Sequence, residues 1–328
     1  MPYKLKVKIE DFIVEEIPDV TLLEEGKYTV FELEKKDTNT LDAIYYVAQR
    51  LKVEPERITF AGSKDKKAIT RQWCSIQGDY RKWINSIESP HLKTSFKGYA
   101  QDPVHLGDLK GNRFQLMIRN IEHRPKPMMV FVNFFGEQRF GSHNAEIGKH
   151  LVRKDFEHAM LLLARTHTPF RESLNDYLIH HPRDYVGALR RIPLRLLKFF
   201  VHGYQSLLWN EVARALVAKK VVVSNIQVPL IGFGLSQKSK YRQYIDPILG
   251  REEIRTEDFI IKQLPELSAE GGYRRIFADV KRLELGECET DEVYPGKCKV
   301  RCSFELTRGS YATVFVHQLF TKFGEYKV

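Results

Sequence analysis

Alternation is the first regularity along this chain. Leu5, Val7 and Ile9 interleave with Lys4, Lys6 and Lys8, which predicts a half-buried strand with a basic face. The segment 28–34, Tyr-Thr-Val-Phe-Glu-Leu-Glu, predicts a second strand. Then the period lengthens. Asn39 or Thr40 can cap a helix whose apolar residues Leu41, Ile44, Val47, Ala48 and Leu51 recur at helical spacing. Segment 58–62 reads as a short strand entering a glycine, followed by Ser63-Lys-Asp-Lys-Lys67. Further strands are expected over 69–76, 96–99 and 113–118, with Lys110-Gly-Asn112 as a turn between elements.

The pattern changes near residue 143. Segments 147–151, 156–164 and 194–217 have helical spacing, and Gly203 marks an expected break in the last. Segment 229–247 is loop-rich. After about 276 strands return, over 280–285, 299–306 and 311–316. A β-rich beginning and end around a helical middle predicts one domain inserted within another, the two ends completing a single sheet.

Composition narrows the classes. The chain has 328 residues, 43% hydrophobic and 12% aromatic, enough for sizeable cores and too apolar for a mostly disordered chain. No run approaches a membrane span, and the segment up to Phe12 lacks the apolar core of a secretory leader. Four cysteines do not form a disulfide scaffold and read as reduced cytosolic thiols. Lys and Arg number 52 against 42 Asp and Glu, a formal charge of +10 that points weakly to a polyanion.

Several chemical signals dissolve on inspection. Cys298 and Cys302 share one face of a predicted strand and read as core sulfur, since no further ligands complete a zinc set. His180-His181-Pro182 reads as a loop before proline. Gly232-Phe-Gly234 lacks the third glycine and the βαβ setting of a dinucleotide fingerprint. No segment has phosphate-loop spacing, which leans against kinases, ATPases and dehydrogenases.

Two segments keep their interest. Asp65 is a lone carboxylate among Lys64, Lys66 and Lys67, whose charge favours the anion. That suits a nucleophile or general base aimed at a cleft, and equally a solvated turn. In Asn133-Phe-Phe-Gly-Glu-Gln-Arg-Phe-Gly141, paired aromatics and glycines fit neither a clean helix nor a clean strand. The block reads either as a loop packing Phe134 and Phe140 into a core, or as an aromatic platform for an extruded nucleobase. Arg139 could pair with a phosphate or with an internal acid.

With these residues in view, the chain resembles the TruD family of RNA pseudouridine synthases, particularly its archaeal-type members. Four blocks carry the resemblance in order: Lys6-Val-Lys-Ile-Glu-Asp-Phe-Ile-Val-Glu15, Phe60-Ala-Gly-Ser-Lys-Asp-Lys-Lys-Ala-Ile-Thr-Arg-Gln-Trp73, Asn133 to Gly141, and Arg308-Gly-Ser-Tyr-Ala-Thr313. Leu109-Lys-Gly-Asn112 also fits, and residues 143–276 match least.

The resemblance implies an α+β fold. A catalytic domain with a mixed, mainly antiparallel sheet would span 1–142 and 277–328, interrupted by an inserted α/β TRUD-type domain over 143–276. It implies a cytoplasmic enzyme that converts a uridine of tRNA, typically position 13, to pseudouridine. It also implies no cofactor, no metal, no membrane, no obligate protein partner and a monomeric state. The family's catalytic aspartate falls on Asp65, its base-stacking phenylalanine on Phe135, the asparagine opening that block on Asn133, and a lysine approaching the carboxylate on Lys6. For Lys6, a phosphate contact is the other reading. The family's Asn-Tyr-Phe-Gly is Asn-Phe-Phe-Gly here, so Phe134 keeps the ring and loses a hydroxyl. Lys64 and Arg139, with the clusters at 64–67, 190–191 and 238–242, are candidate RNA contacts. A non-catalytic RNA-binding protein on the same fold is the competing reading, against which an intact Asp65 motif speaks.

Overall fold

The computed structural model describes residues 3–141, 143–166, 170–220 and 226–323. In chain order the strands and helices are β1 (Phe12–Pro18), β2 (Tyr28–Lys36), α1 (Thr40–Leu51), β3 (Ile58–Phe60), β4 (Ile69–Gln77), α2 (Arg81–Ile84), β5 (Glu88–Ser89), β6 (Leu92–Ala100), β7 (Leu109–Ile121) and β8 (Val130–Val132). There follow α3 (Asn144–Val152), α4 (Phe156–Arg165), α5 (Arg171–His180), α6 (Tyr185–Leu189), α7 (Leu194–Ala218), β9 (Gln227–Leu230), α8 (Arg242–Arg251) and β10 (Gly272–Arg275). Strands β11 (Phe277–Leu285), β12 (Glu289–Thr290) and β13 (Cys298–Thr307) and helix α9 (Ala312–Leu319) complete them.

Contacts divide the chain into two compact units, Met1–Val130 with Asp279–Ala312, and Phe131–Ala278 with Thr313–Val328. The Asp65 loop lies in the first and the block opened by Asn133 in the second.

The first unit is built on a sheet of strand order β5-β6-β2-β4-β1-β7-β13-β11, with β3 on β4 and β12 on β13. The sheet is mixed: β1 and β4 run parallel, while β2 with β4 and β6, and β7 with β1 and β13, are antiparallel. Helix α1 covers one face. Ala43, Ile44, Val47 and Ala48 pack there with Phe31, Leu33, Cys74 and Ile76. Leu41, expected on that stripe, lies outside it and is exposed.

Period-2 geometry carries side chains two apart to one face of a strand. On β1 the inward residues run Phe12, Val14, Glu16; on β2, Phe31, Leu33, Lys35; on β4, Thr70, Gln72, Cys74, Ile76. Lys35 stands opposite Thr70, Leu33 opposite Gln72, and Val14 opposite Thr70. The core face is therefore apolar along most of its length and polar at one end.

In the second unit α3 lies against α7, and their crossing is close. A Cβ on Gly148 would fall 2.1 Å from the Phe200 carbonyl oxygen, so only glycine admits this approach. Helix α7 runs unbroken through Gly203, where a break was expected. Strands β9 and β10 form an antiparallel pair.

Five other expectations change. The chain over 5–9 is not a strand: Lys4 forms an isolated bridge with Arg119, Lys6 takes a left-handed φ of 55°, and extended structure begins at Phe12. Segment 110–112 is not a turn but part of β7, where a Cβ on Gly111 would meet the Leu306 oxygen at 2.1 Å. That glycine serves strand approach, not chain reversal. Segment 311–316 is not a strand. A short run of apolar residues is ambiguous by period alone, and this one forms α9, buried at Val314, Phe315 and Val316, with Gln318 bonded to both main-chain groups of Val132. Helix α8 arises inside the loop-rich segment despite Pro247. Cys302 is buried and its thiol pushed up to about 12 by burial, while a register shift beside Cys298 leaves that residue half-buried.

Candidate active site

The loop joining β3 to β4 carries Gly62-Ser-Lys-Asp-Lys-Lys67. It is held from several sides. Gln72 Nε2 donates to the Gly62 carbonyl at 3.3 Å. The Lys64 amide donates to Thr40 Oγ1 at 3.0 Å, at the first residue of α1. Lys64 Nζ is ion-paired with Glu16, whose side chain is wholly buried, and Glu16 Oε1 also accepts from the Trp73 amide at 3.3 Å. Lys35 Nζ donates to the Asp65 carbonyl at 2.7 Å. The polar end of the sheet is the seat of this loop: Glu16, Lys35 and Gln72 are its inward residues and each binds the loop.

The Asp65 carboxylate meets Lys6. Lys6 Nζ donates to Asp65 Oδ2 at 2.6 Å, and both side chains are partly exposed, at 21% and 29%. The Lys6 ammonium also lies 4.2 Å from the centre of the Phe12 ring, a cation–π contact. The left-handed backbone of Lys6 costs about 1–2 kcal/mol for a residue with a Cβ, which these contacts help to offset. Its segment is pinned by Arg119, which bonds Lys4 through both main-chain groups and holds Asp11 with two guanidinium bonds of 2.8 and 2.9 Å. Arg119 is buried and also reaches Asp291 at 3.1 Å.

Other blocks converge on the same loop. The Gly107 amide donates to Ala61 O at 2.8 Å, and the Gly107 carbonyl accepts from Arg308 at 2.7 Å. Arg308 also donates its amide to Lys110 O at 3.2 Å. Segments near 61, 109 and 308, far apart in sequence, thus form one bonded chain.

In the second unit Phe135 is clamped in place. Asn210 bonds both its main-chain groups, accepting from the amide at 2.8 Å and donating to the carbonyl at 3.0 Å. Trp209 meets the ring edge-on at 5.6 Å, and the Arg274 guanidinium lies over it at 4.0 Å from the centre. Arg274 also donates to Asn133 O at 2.9 Å and Oδ1 at 2.8 Å, so Asn133 and Phe135 share one arginine. Arg139 stands 5.8 Å from the Phe135 ring centre and 5.5 Å from that of Phe199, and donates to Ser206 at 3.4 Å. Phe134 and Phe140 are buried, as the core-packing reading of this block requires, and Phe135 is buried with them.

Of the residues singled out in the sequence, Lys6 and Asp65 are in direct contact, Arg139 stands beside the Phe135 ring, and Asn133 shares Arg274 with Phe135. Lys64 differs from its expected role. Its side chain is 9% exposed and turned inward to Glu16, which makes it an anchor of the loop. Arg190 bonds Gln263 O, Arg191 lies on Tyr177, and Arg242 pairs with Asp246. Glu16, Lys35, Thr40 and Gln72 carry no site role in the sequence reading, where Thr40 stands only as a helix cap and Gln72 only within a motif block. For Glu16 and Lys35 a signal existed, since each continues an inward alternation of apolar residues. Arg274 had no such signal, because only the β9–β10 pairing brings it into place.

One cluster among the described residues has metal-ligating chemistry. His150, Asp155 and His158 bring their ligand atoms within 4.8 Å of one another. Asp155 already accepts from both imidazoles and from the His158 amide at the start of α4, so hydrogen bonding accounts for the cluster.

The site thus presents a carboxylate held by a lysine, on a loop bonded into the mixed sheet of an α+β fold. The chain matches the family described as tRNA pseudouridine synthase D (TruD) over residues 2–176, 161–228 and 219–319, and it belongs to that family. A Methanosarcina mazei protein named "Probable tRNA pseudouridine synthase D" is 31% identical, over 96% of this chain and 92% of its own. The "tRNA pseudouridine synthase D" of Aquifex aeolicus is 28% identical, over 98% of each chain. A crystal structure from Methanosarcina mazei, of a protein assigned as tRNA pseudouridine synthase D, superposes with a TM-score of 0.76 at 28% identity, covering 98% of this chain and 93% of that one. No helix among the described residues is long and apolar enough to cross a membrane.

Proposed function

We propose that the protein isomerises a uridine of tRNA, at position 13, to pseudouridine, and that Asp65 is the residue that acts on the ribose. The reaction breaks the N1–C1′ bond, turns the uracil and joins C5 to C1′; C5 gives up its proton and N1 gains one. It is redox-neutral and hydrolyses nothing. The observation that carries the reading is the Lys6–Asp65 pair on its multiply bonded loop. Such a carboxylate would either attack C1′ or take the C2′ proton. The target must leave its stack at a cost of a few kcal/mol, and stacking on Phe135 would return about 1–3 kcal/mol. Arg139 and the surface lysines and arginines would track phosphates, consistent with the formal charge of +10. In this reading residues 1–142 and 277–328 are the catalytic domain and 143–276 the insertion, and the enzyme is a cytoplasmic monomer.

The test is conversion of unmodified tRNA, mapped by position, with wild type and Asp65→Asn. Wild type is expected to convert uridine 13 and the variant nothing. Conversion by both would remove Asp65 from its role, and tight tRNA binding without conversion by wild type would favour a binding protein.

A further inference from the structure

Lys35 is a fully buried lysine, with no exposed surface, on the core face of β2 beyond Phe31 and Leu33. An ammonium removed from water is costly, and apolar replacements at such positions are often neutral or stabilising. Stability therefore gives no reason for it. Its surroundings do. Lys35 Nζ donates at 2.7 Å to the carbonyl of Asp65, the residue whose carboxylate Lys6 holds.

We propose that Lys35 is a positioning residue for the chemistry at Asp65: its buried ammonium grips the Asp65 carbonyl and fixes the backbone from which the carboxylate projects. Lys6 then orients the carboxylate from outside while Lys35 fixes its base from within. This inference rests on the functional reading of Asp65 above.

The neighbours of the ammonium are consistent with a charge kept under tension. Asp65 and Lys64 face it from the loop, Asp65 itself paired with Lys6 and Lys64 with Glu16. Its cross-strand neighbours Thr70 on β4 and Leu92 on β6 are uncharged. Burial pushes Lys35 down to about 8; Asp65 opposes that shift and Lys64 adds to it. A group whose pKa falls on folding binds fewer protons in the folded chain, so stability gains from it as pH rises from about 8 towards the ordinary lysine value.

The experiment compares wild type with Lys35→Met, which keeps the stem and removes the donor. Turnover, tRNA affinity and Tm are measured, and Tm again across pH 7 to 10. Expected is a fall in kcat of about 10–100-fold, as for a small displacement of a reacting group, with tRNA affinity unchanged. Tm at pH 7 is expected equal to or above wild type, with wild type gaining on the variant as pH rises. Unchanged kcat in Lys35→Met overturns the proposal. So does a fall in kcat accompanied by a lower Tm, which makes Lys35 structural, or by proportionate loss of tRNA affinity, which makes it a binding residue. If wild type converts no uridine, the functional reading fails and this role falls with it. An active wild type with an equally active variant defeats the role of Lys35 alone.

Discussion

Lys6 Nζ lies 2.6 Å from Asp65 Oδ2, a contact reached from a left-handed backbone position and across 59 residues of chain. The pairing favours orientation of the carboxylate over a phosphate contact as the work of Lys6. Lys6→Met is expected to lower kcat by about 100-fold, with tRNA Kd changed little. Quench-flow turnover and a filter-binding titration separate the two. A loss of affinity matching the loss of rate would return Lys6 to the phosphate role.

Phe135 is fixed by Asn210 on its main chain and by Trp209 and Arg274 on its ring. Phe135→Leu keeps most of the volume and removes the flat face. Turnover is expected to fall about 5–100-fold, the worth of one stacked base, with smaller loss of tRNA affinity. Phe135→Ala adds a packing loss of about 3–5 kcal/mol, visible as a lower denaturation midpoint. Equal loss of turnover and affinity in Phe135→Leu would make the ring structural.

Glu16 and Lys64 form an ion pair in which Glu16 is wholly buried and Lys64 nearly so. Removing one partner strands the other. Glu16→Leu is expected to destabilise the protein by about 3–5 kcal/mol, measured by urea unfolding, and Glu16→Leu with Lys64→Met to recover most of that. A double variant no better than the single would show that the pair is not coupled in this way.

Asp291 gives the first unit an acid-sensitive joint. Burial alone would raise its pKa, but the amides of Asn120 and Val293 and the guanidinium of Arg119 outweigh it, and the net shift is downward. The folded carboxyl binds its proton less readily than the unfolded one. Its stabilisation is therefore present above the ordinary aspartate value, about pH 4, and is lost as pH falls through the depressed folded value. Asp291→Asn is expected to be less stable than wild type at pH 7, with the deficit narrowing below about pH 4. Thermal unfolding of both across pH 3 to 7 would show it; a constant gap would contradict it.

Much of the strand and helix order was legible because burial on one face imposes a period. Residues 28–34, 69–76 and 156–164 fall within β2, β4 and α4 for that reason. Misreadings came where a local signal had a tertiary cause. Gly111 reads as a turn but admits the close approach of β13. The apolar run in α9 suits a strand or a helix until its surroundings choose. Lys4, Lys6 and Lys8 alternate with apolar residues, yet the bonds of Lys4 to Arg119 and the turn at Lys6 take that segment out of extended structure.

The order of residues singled out Asp65 as a candidate, an aspartate among lysines in a motif found with its companions in sequence. What folding added was the company it keeps. Lys6 and Lys64 look alike along the chain, lysines in basic stretches, and Lys35 stands in the mixed-charge run Glu34-Lys-Lys-Asp37. Packing separates them, one onto the carboxylate, one onto the Asp65 carbonyl and one onto Glu16. A charge in water costs little wherever it sits, so sequence does not assign it a partner. A charge taken out of water must find one, and which it finds depends on strands brought together from distant parts of the chain.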